Sequence, residues 1–293
     1  MRARTERTGG GRRGFTLVEV LASMAVLVIL VLALTRMFSE AASIVKRGSS
    51  MLARNSMGST AMETILQDIE GMVVSERLAC RFLADASDTA GFGFDEAWFI
   101  TTSGDQDDGR AYQTVHYYVT NSSATNSLGA QYTRYQLIRQ VGIFANADNR
   151  GVDVMEREMD WWNPANWDDG YVQYSDKNLL AENVVRFDFY IQGWDGRSWL
   201  ERDGTEVKFD SIEGPRDDRP MTNMPPAAID VYLQLTSPDV AQESGMALVS
   251  GVPADIQTKA REMMIRESAS LFGRAAPIAG GAQRLHPAAH YTD

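Results

Sequence analysis

This chain is short of the residues that redox, metal and nucleic-acid chemistry need. Among 293 residues there are one cysteine and three histidines. One cysteine excludes an internal disulfide framework and a cysteine-based zinc site. Three histidines leave few groups for metal binding or acid–base work. Positive charge is also in deficit, with 28 Lys and Arg against 39 Asp and Glu and a formal net charge of −11. The pI is about 4.8. Such acidity argues against nucleic acid as a partner, since phosphate binding needs clustered Lys and Arg. Catalytic motifs are missing too: there is no GxxxxGK[ST], no HExxH and no GxSxG. Gly91-Phe92-Gly93-Phe94-Asp95-Glu96 starts like a dinucleotide loop but lacks the third glycine and a following helix. The expectation is a protein without enzymatic activity and without a cofactor. What remains is globular in composition, 44% hydrophobic and 23% charged. That suffices for the core of one large domain or two ordinary ones. The mean hydropathy is too low for several membrane spans, but it allows one.

The charge is unevenly placed. Residues 1–14, MRARTERTGGGRRG, hold Arg2, Arg4, Arg7, Arg12 and Arg13 against Glu6, a net of +4 that leaves −15 on the rest. From Phe15 to Thr35 follow 21 apolar or small residues with one charge, Glu19. As a helix this run is about 31 Å long, the thickness of a bilayer's hydrocarbon core. Arginines stay on the cytoplasmic side, so the acidic remainder is expected outside. A secretory signal peptide is a poor fit. Its apolar part is about 7–15 residues long, and Ser39-Glu40-Ala41 is a poor cleavage site. A plain signal anchor explains length and orientation but neither Glu19 nor Gly14. A carboxylate inside an apolar helix is costly and normally has a partner and a function. Near the membrane face it can also snorkel to water.

Gly14-Phe15-Thr16-Leu17-Val18-Glu19-Val20-Leu21 resembles the prepilin processing motif of type IV pilins and type II secretion pseudopilins. The resemblance implies cleavage by a membrane peptidase between Gly14 and Phe15, N-methylation of Phe15, and an assembly role for Glu19. A cation from a neighbouring subunit, the new α-amine for example, would pair with Glu19 and set the axial register between subunits.

Beyond Arg36 the chain stays helical in pattern and becomes amphipathic. Ile44, Val45, Met51, Leu52, Met57, Ala61, Met62, Ile65, Leu66, Ile69, Met72 and Val73 recur near helical spacing. The helix continuation is placed over 36–85, with Gly48-Ser49-Ser50 and Gly58-Ser59 as weak points that could kink or melt it. A β-rich head is placed over 86–252. Ala97–Thr101 reads as a short strand, and Thr114–Val119 with Tyr135–Val141 as a long hairpin. Val184–Gln192 and Ala228–Leu235 alternate apolar and polar residues, as strands with one buried face do. A C-terminal helix is placed over 253–272 and a disordered tail over 273–293. The fold class is α+β: one long helix, membrane-spanning in its first half, packed on a mostly antiparallel sheet.

Leu66–Ile69, Leu179–Val184 with Phe187, Phe189, Trp194 and Trp199, and Met224–Val231 are similar to the J-type minor pseudopilin pattern. The arrangement also resembles the pilin-like Verru-Chthon cassette protein C group. These resemblances imply a minor pseudopilin of a type II secretion-like periplasmic fibre. They imply other pilin-like subunits, prepilin peptidase and the bacterial inner membrane as partners, a cytoplasmic N-terminus and a periplasmic head. Two alternatives stay open: a minor type IV pilin for adhesion or DNA uptake, and a membrane-anchored glycan- or partner-binding module that uses Trp161, Trp162 and Trp167 of the insertion at 145–180.

Other residues receive plainer readings. Asp105, Asp107 and Asp108 could bind Ca²⁺, although Gly109 comes one residue too early for an EF-hand, and a solvated acidic loop is the default. Asp168-Asp169-Gly170 reads the same way. His116 is expected to be a structural ring in a strand, and Cys80 a small buried residue.

Overall fold

A computed structural model describes residues 16–73, 80–87, 92–102, 112–144, 172–174, 177–193, 208–210, 226–249 and 251–277. In chain order the elements are α1 (Leu17–Glu70), β1 (Met72–Val73), β2 (Arg81–Ser87), β3 (Phe94–Thr102), β4 (Tyr112–Thr125) and β5 (Gln131–Phe144). They continue with β6 (Val172–Tyr174), β7 (Asn178–Glu182), β8 (Val184–Gln192), β9 (Lys208–Asp210) and β10 (Ala228–Thr236). Last come α2 (Pro238–Ala247), α3 (Ala254–Arg266) and β11 (Ser268–Ala275). The chain divides into two units, Met1–Ser50 and Met51–Asp293.

The first unit holds the apolar part of α1. Every residue from Thr16 to Ser49 is exposed, and the run from Val20 to Thr35 is uncharged. A helix that is apolar all round belongs in a bilayer or a large core. Within the second unit α1 is one-sided. Gly58, Ala61, Met62, Ile65, Asp68 and Ile69 are buried, one stripe at helical spacing.

The helix runs unbroken through both weak points, Gly48 and Gly58. Around Gly48 there is open space, while a Cβ on Gly58 would lie 2.6 Å from Leu271 Cδ1 and 3.1 Å from Leu235 Cδ1. The bare backbone at 58 thus admits β10 and β11 close to the helix. The helix also ends earlier than the 85 expected. At Glu70 it meets β3: the Thr101 hydroxyl donates to the Asp68 carbonyl at 2.9 Å, which satisfies a terminal acceptor. The Gly71 N–H donates to the Gln67 carbonyl at 3.0 Å, and Gly71's own carbonyl accepts from Thr102 at 3.0 Å. Any Cβ at Gly71 would sit 2.6 Å from Thr101 Oγ1. The chain then turns into β1, where Met72 pairs with Thr101.

Two sheets form where one was expected, and all strand pairs among the described residues are antiparallel. The eight-stranded sheet runs β6-β5-β4-β3-β2-β9, with β1 also on β3 and β7 also on β5. The smaller sheet runs β11-β10-β8. The long hairpin is present, with Thr125 opposite Gln131. Its turn is held by Asn126, whose side-chain oxygen accepts from Leu128 at 3.0 Å and Ala130 at 2.8 Å. Only Asn183 separates β7 in the large sheet from β8 in the small one. Its φ of 59° is the left-handed conformation that Asn tolerates, and it makes the corner. Phe82 of β2 then meets Phe189 of β8 edge-on at 5.2 Å, and the buried Asp95 carboxylate accepts from the Phe189 N–H at 2.7 Å. Ile65, Ile69, Phe99, Tyr117, Leu137, Phe187, Val231 and Leu233 are all sealed in this core.

The C-terminal helix expected over 253–272 stops at Arg266. Residues 268–275 pair with β10 over eight positions, from Ser268–Thr236 to Ala275–Ile229. Ala260 and Met264 are buried on α3, but Leu271 does not continue their helix. It belongs instead to a period-two set with Gly273 and Ala275, turned toward the core. The strand therefore overlaps the tail expected from 273, while residues 278–293 lie outside the described residues.

Candidate functional site

At the start of α1, Thr16 and Glu19 bond reciprocally. The Thr16 backbone N–H donates to Glu19 Oε2 at 2.9 Å, and the Thr16 hydroxyl donates to the same oxygen at 3.1 Å. The Glu19 N–H donates to Thr16 Oγ1 at 3.3 Å. This is a capping box, in which a Thr and a Glu three residues on satisfy each other's orphan amides. It also holds the negative carboxylate over the positive end of the helix dipole. The Thr-x-x-Glu spacing before an apolar run announced it, but sequence reasoning weighed Glu19 as an assembly residue or a snorkelling carboxylate and not as a cap. Among the described residues Glu19 meets no cation. The cleavage pair Gly14 and Phe15 lies outside the described residues.

Beyond the cap comes the membrane-length segment. It is the one helix among the described residues long and apolar enough to cross a bilayer. Leu17 is 77% exposed and Ile29 67%. Past the span, Arg36 pairs with Glu40 at 3.2 Å, an exposed i,i+4 bridge that adds little stability. Ile44, Val45, Met51 and Leu52 are exposed too. The apolar stripe read from sequence therefore finds cover only from Gly58 onward.

Within the second unit a buried carboxylate fixes the helix to the large sheet. Asp68 lies on the buried face of α1 beside Ile65 and Ile69. Arg139 of β5 meets it with two hydrogen bonds, Nε to Oδ2 at 2.7 Å and Nη2 to Oδ1 at 2.9 Å. The Tyr117 hydroxyl of β4 donates to Asp68 Oδ2. Burial, reinforced by the charge of Asp68, pushes the Tyr117 pKa well above the ordinary tyrosine value. For Arg139 burial works against the charge, yet the bonds and charge of Asp68 outweigh it, and its pKa is raised. Sequence reasoning saw Asp68 only within the Leu66–Ile69 resemblance. An acid inside the apolar stripe was the available signal.

His116 is the structural ring expected. It stacks on Trp98 and Tyr118 with ring centroids 3.3 and 4.4 Å away and bonds Glu96. Burial lowers its pKa, with Glu96 pulling the other way. Cys80 is buried. Asp105, Asp107, Asp108, Asp168, Asp169, Trp161, Trp162, Trp167, Trp194 and Trp199 lie outside the described residues. Among the described residues no group of His, Cys, Asp and Glu is arranged to hold a metal ion.

A capped, membrane-length helix that continues into an antiparallel α+β head is the pilin-like architecture. A family model described as the prokaryotic N-terminal methylation motif matches residues 10–35. That match supports a type IV pilin-like protein, processed by prepilin peptidase, anchored in a membrane and assembled with other pilin subunits. Comparison with curated proteins and with solved structures gives no match.

Proposed function

We propose that this chain is a minor pseudopilin, an assembly subunit of a type II secretion-like periplasmic fibre. Prepilin peptidase cuts between Gly14 and Phe15 and methylates the new amine of Phe15. The processed chain stands in the inner membrane with its N-terminus cytoplasmic and its head in the periplasm, and it works by packing with other pilin-like subunits. The methylation motif over residues 10–35 carries this reading. The J-type assignment rests on the resemblance at 179–184 and 224–231. The same motif also serves a minor type IV pilin, and the identity of co-purifying subunits separates the two.

Mass spectrometry of the N-terminal peptide, from membranes with and without prepilin peptidase, tests the processing. A chain starting at methylated Phe15 is expected. A retained leader, or a start near Ala42, overturns the proposal. Glu19 has two separable duties, capping and pairing. Glu19→Gln keeps a residue that completes a capping box and removes the charge. Loss of co-assembly in Glu19→Gln is expected if the carboxylate pairs with a subunit's cation. Assembly by Glu19→Gln together with failure by Glu19→Ala would reduce Glu19 to a cap.

A further inference from the structure

We propose that the outer edge of β11 receives an extended, Lys- or Arg-bearing segment of a neighbouring pilin-like subunit as a fourth strand of the smaller sheet. This deepens the assembly reading and rests on it.

Among the described residues β11 is an edge strand of its sheet. Its register with β10 is unbroken over eight residues and contains neither a bulge nor a proline. Such an edge leaves alternate N–H and C=O groups ready to pair, and proteins normally blunt it with charge, proline or a bulge. Its single charge, Arg274, is engaged by Asp230, with Nη2 to Oδ2 at 2.7 Å. Phe272 stands 63% exposed on the strand.

Directly beside this edge runs a groove of about 660 Å³, lined by Met62, Glu63, Leu66 and Glu70 of α1 and by Leu271 and Phe272. Gly273 has the side of α1 against it, with Leu66 Cδ1 2.7 Å and Met62 Sδ 2.8 Å from where its Cβ would be. The sheet thus lies over α1 at Gly273, and the groove on the helix's flank borders its β11 side. A strand added about 4.8 Å further out would direct alternate side chains into this groove.

The lining also sets the chemistry of the occupant. Met62, Leu66, Leu271 and Phe272 are apolar, Glu63 and Glu70 are carboxylates, and no basic side chain among the described residues lines the groove. Glu70 stands in the last turn of α1, which carries no basic residue. A carboxylate there faces the negative end of the helix dipole. A cation on the incoming strand relieves it. An apolar strand that carries Lys or Arg satisfies the edge, the floor and the rim together.

The full-length chain in its own membrane provides the test. p-Benzoylphenylalanine is placed at position 272, and as a control at position 128, where Leu128 is 90% exposed at the hairpin tip. After irradiation the adducts are mapped by mass spectrometry. The expected result is one segment of a subunit that carries the methylation motif, hit at alternate residues, with a Lys or Arg between the hits. Glu63→Lys with Glu70→Lys, both at exposed positions, should cut that adduct about tenfold through like-charge repulsion without lowering the thermal melt. Several results overturn the proposal: hits spaced three or four apart (a helix in the groove), adducts with this chain's own residues after Pro277, equal yields at positions 272 and 128, or no effect of the charge reversal. If Phe15 is methylated and position 272 gives no adduct, the assembly reading stands and the fourth strand falls.

Discussion

Replacing Asp68 with alanine should uncouple α1 from the large sheet. The change removes both hydrogen bonds from Arg139 and the one from Tyr117. Arg139 is left charged with its side chain only 15% exposed, and Asp68 itself is 10% exposed. Breaking a buried pair by removing one partner costs about 3–5 kcal/mol, because the surviving charge stays desolvated. A domain has about 5–15 kcal/mol to lose. With a urea slope of about 2 kcal/mol per molar, the midpoint should fall by about 2 M at unchanged slope. The assay is urea unfolding of the full chain in detergent micelles, followed by tryptophan fluorescence, with the buried Trp98 as one reporter.

The same reasoning makes a second demand. A buried ionic cluster exchanged whole for apolar side chains of similar size is often neutral or better. The triple variant Asp68→Leu, Tyr117→Phe, Arg139→Met should therefore recover most of what Asp68→Ala loses. A cost below about 1 kcal/mol for Asp68→Ala would show that the pair is effectively solvated. A triple variant as unstable as the single one would show that the packing around Asp68, not the stranded charge, sets the loss. Either result refutes the argument.

Tyr135 is buried, and its hydroxyl has no hydrogen-bond partner among the described residues. Tyr135→Phe should raise stability by about 1 kcal/mol in chemical denaturation. Burial lifts the Tyr135 pKa to about 12. The folded chain therefore keeps a proton that the unfolded chain sheds above about pH 10, and stability falls as pH rises past that value. Tyr135→Phe should flatten that alkaline fall, read by melts between pH 9 and 11. His116 has a lowered pKa, so its contribution is present above about pH 6.5 and declines as pH drops below it; melts of His116→Gln should decline less steeply in acid. At Gly245 a Cβ would lie 2.3 Å from the Thr133 carbonyl oxygen, which is backbone and cannot swing aside. Gly245→Ala should cost about 1–3 kcal/mol despite the better helix former. Gly48 meets nothing within 4 Å, so Gly48→Ala should strengthen the helix locally by about 1 kcal/mol, seen as slower hydrogen exchange nearby.

What could be read in the sequence depended on whether the cause was local. The membrane-length run needs only composition, and the strands of the long hairpin and of Val184–Gln192 announce themselves by alternation. The end of α1 depends on Thr101, thirty-three residues from the Asp68 carbonyl it satisfies. No window along the chain contains both. β11 was hidden for a related reason: Ser-Ala-Ser-Leu-Phe-Gly-Arg-Ala is weakly patterned, and it becomes a strand because β10 offers an edge and Gly273 fits against Leu66 and Met62. Gly58 misled in the same way. Helix propensity marks it as a weak point, whereas close packing against Leu235 and Leu271 gives it a use. The N-terminal site was legible as an ordered motif, although its capping role had to be seen in the bonds between Thr16 and Glu19.

Two carboxylates on α1 make the case for assembly in physical terms. Both sit where a negative charge is expensive, Asp68 in a protein core and Glu19 at the head of a membrane-length apolar run. Asp68 is matched inside the chain by a guanidinium and a phenol. Among the described residues Glu19 receives only the amide and hydroxyl of Thr16. Those bonds fix its direction and, with the helix dipole, favour its charge, but none of the described residues brings a cation to it. An apolar environment around such a group favours any arrangement that brings a cation to it. Cleavage after Gly14 would create an α-amine at Phe15, one residue before the cap. Within one chain that amine would belong to the same helix end as the carboxylate. Between two chains it could reach the Glu19 of a neighbour, and the number of matched charges would then grow with every subunit added. On this account processing and assembly are coupled by charge, and a chain that keeps its leader should insert in the membrane yet fail to join a fibre.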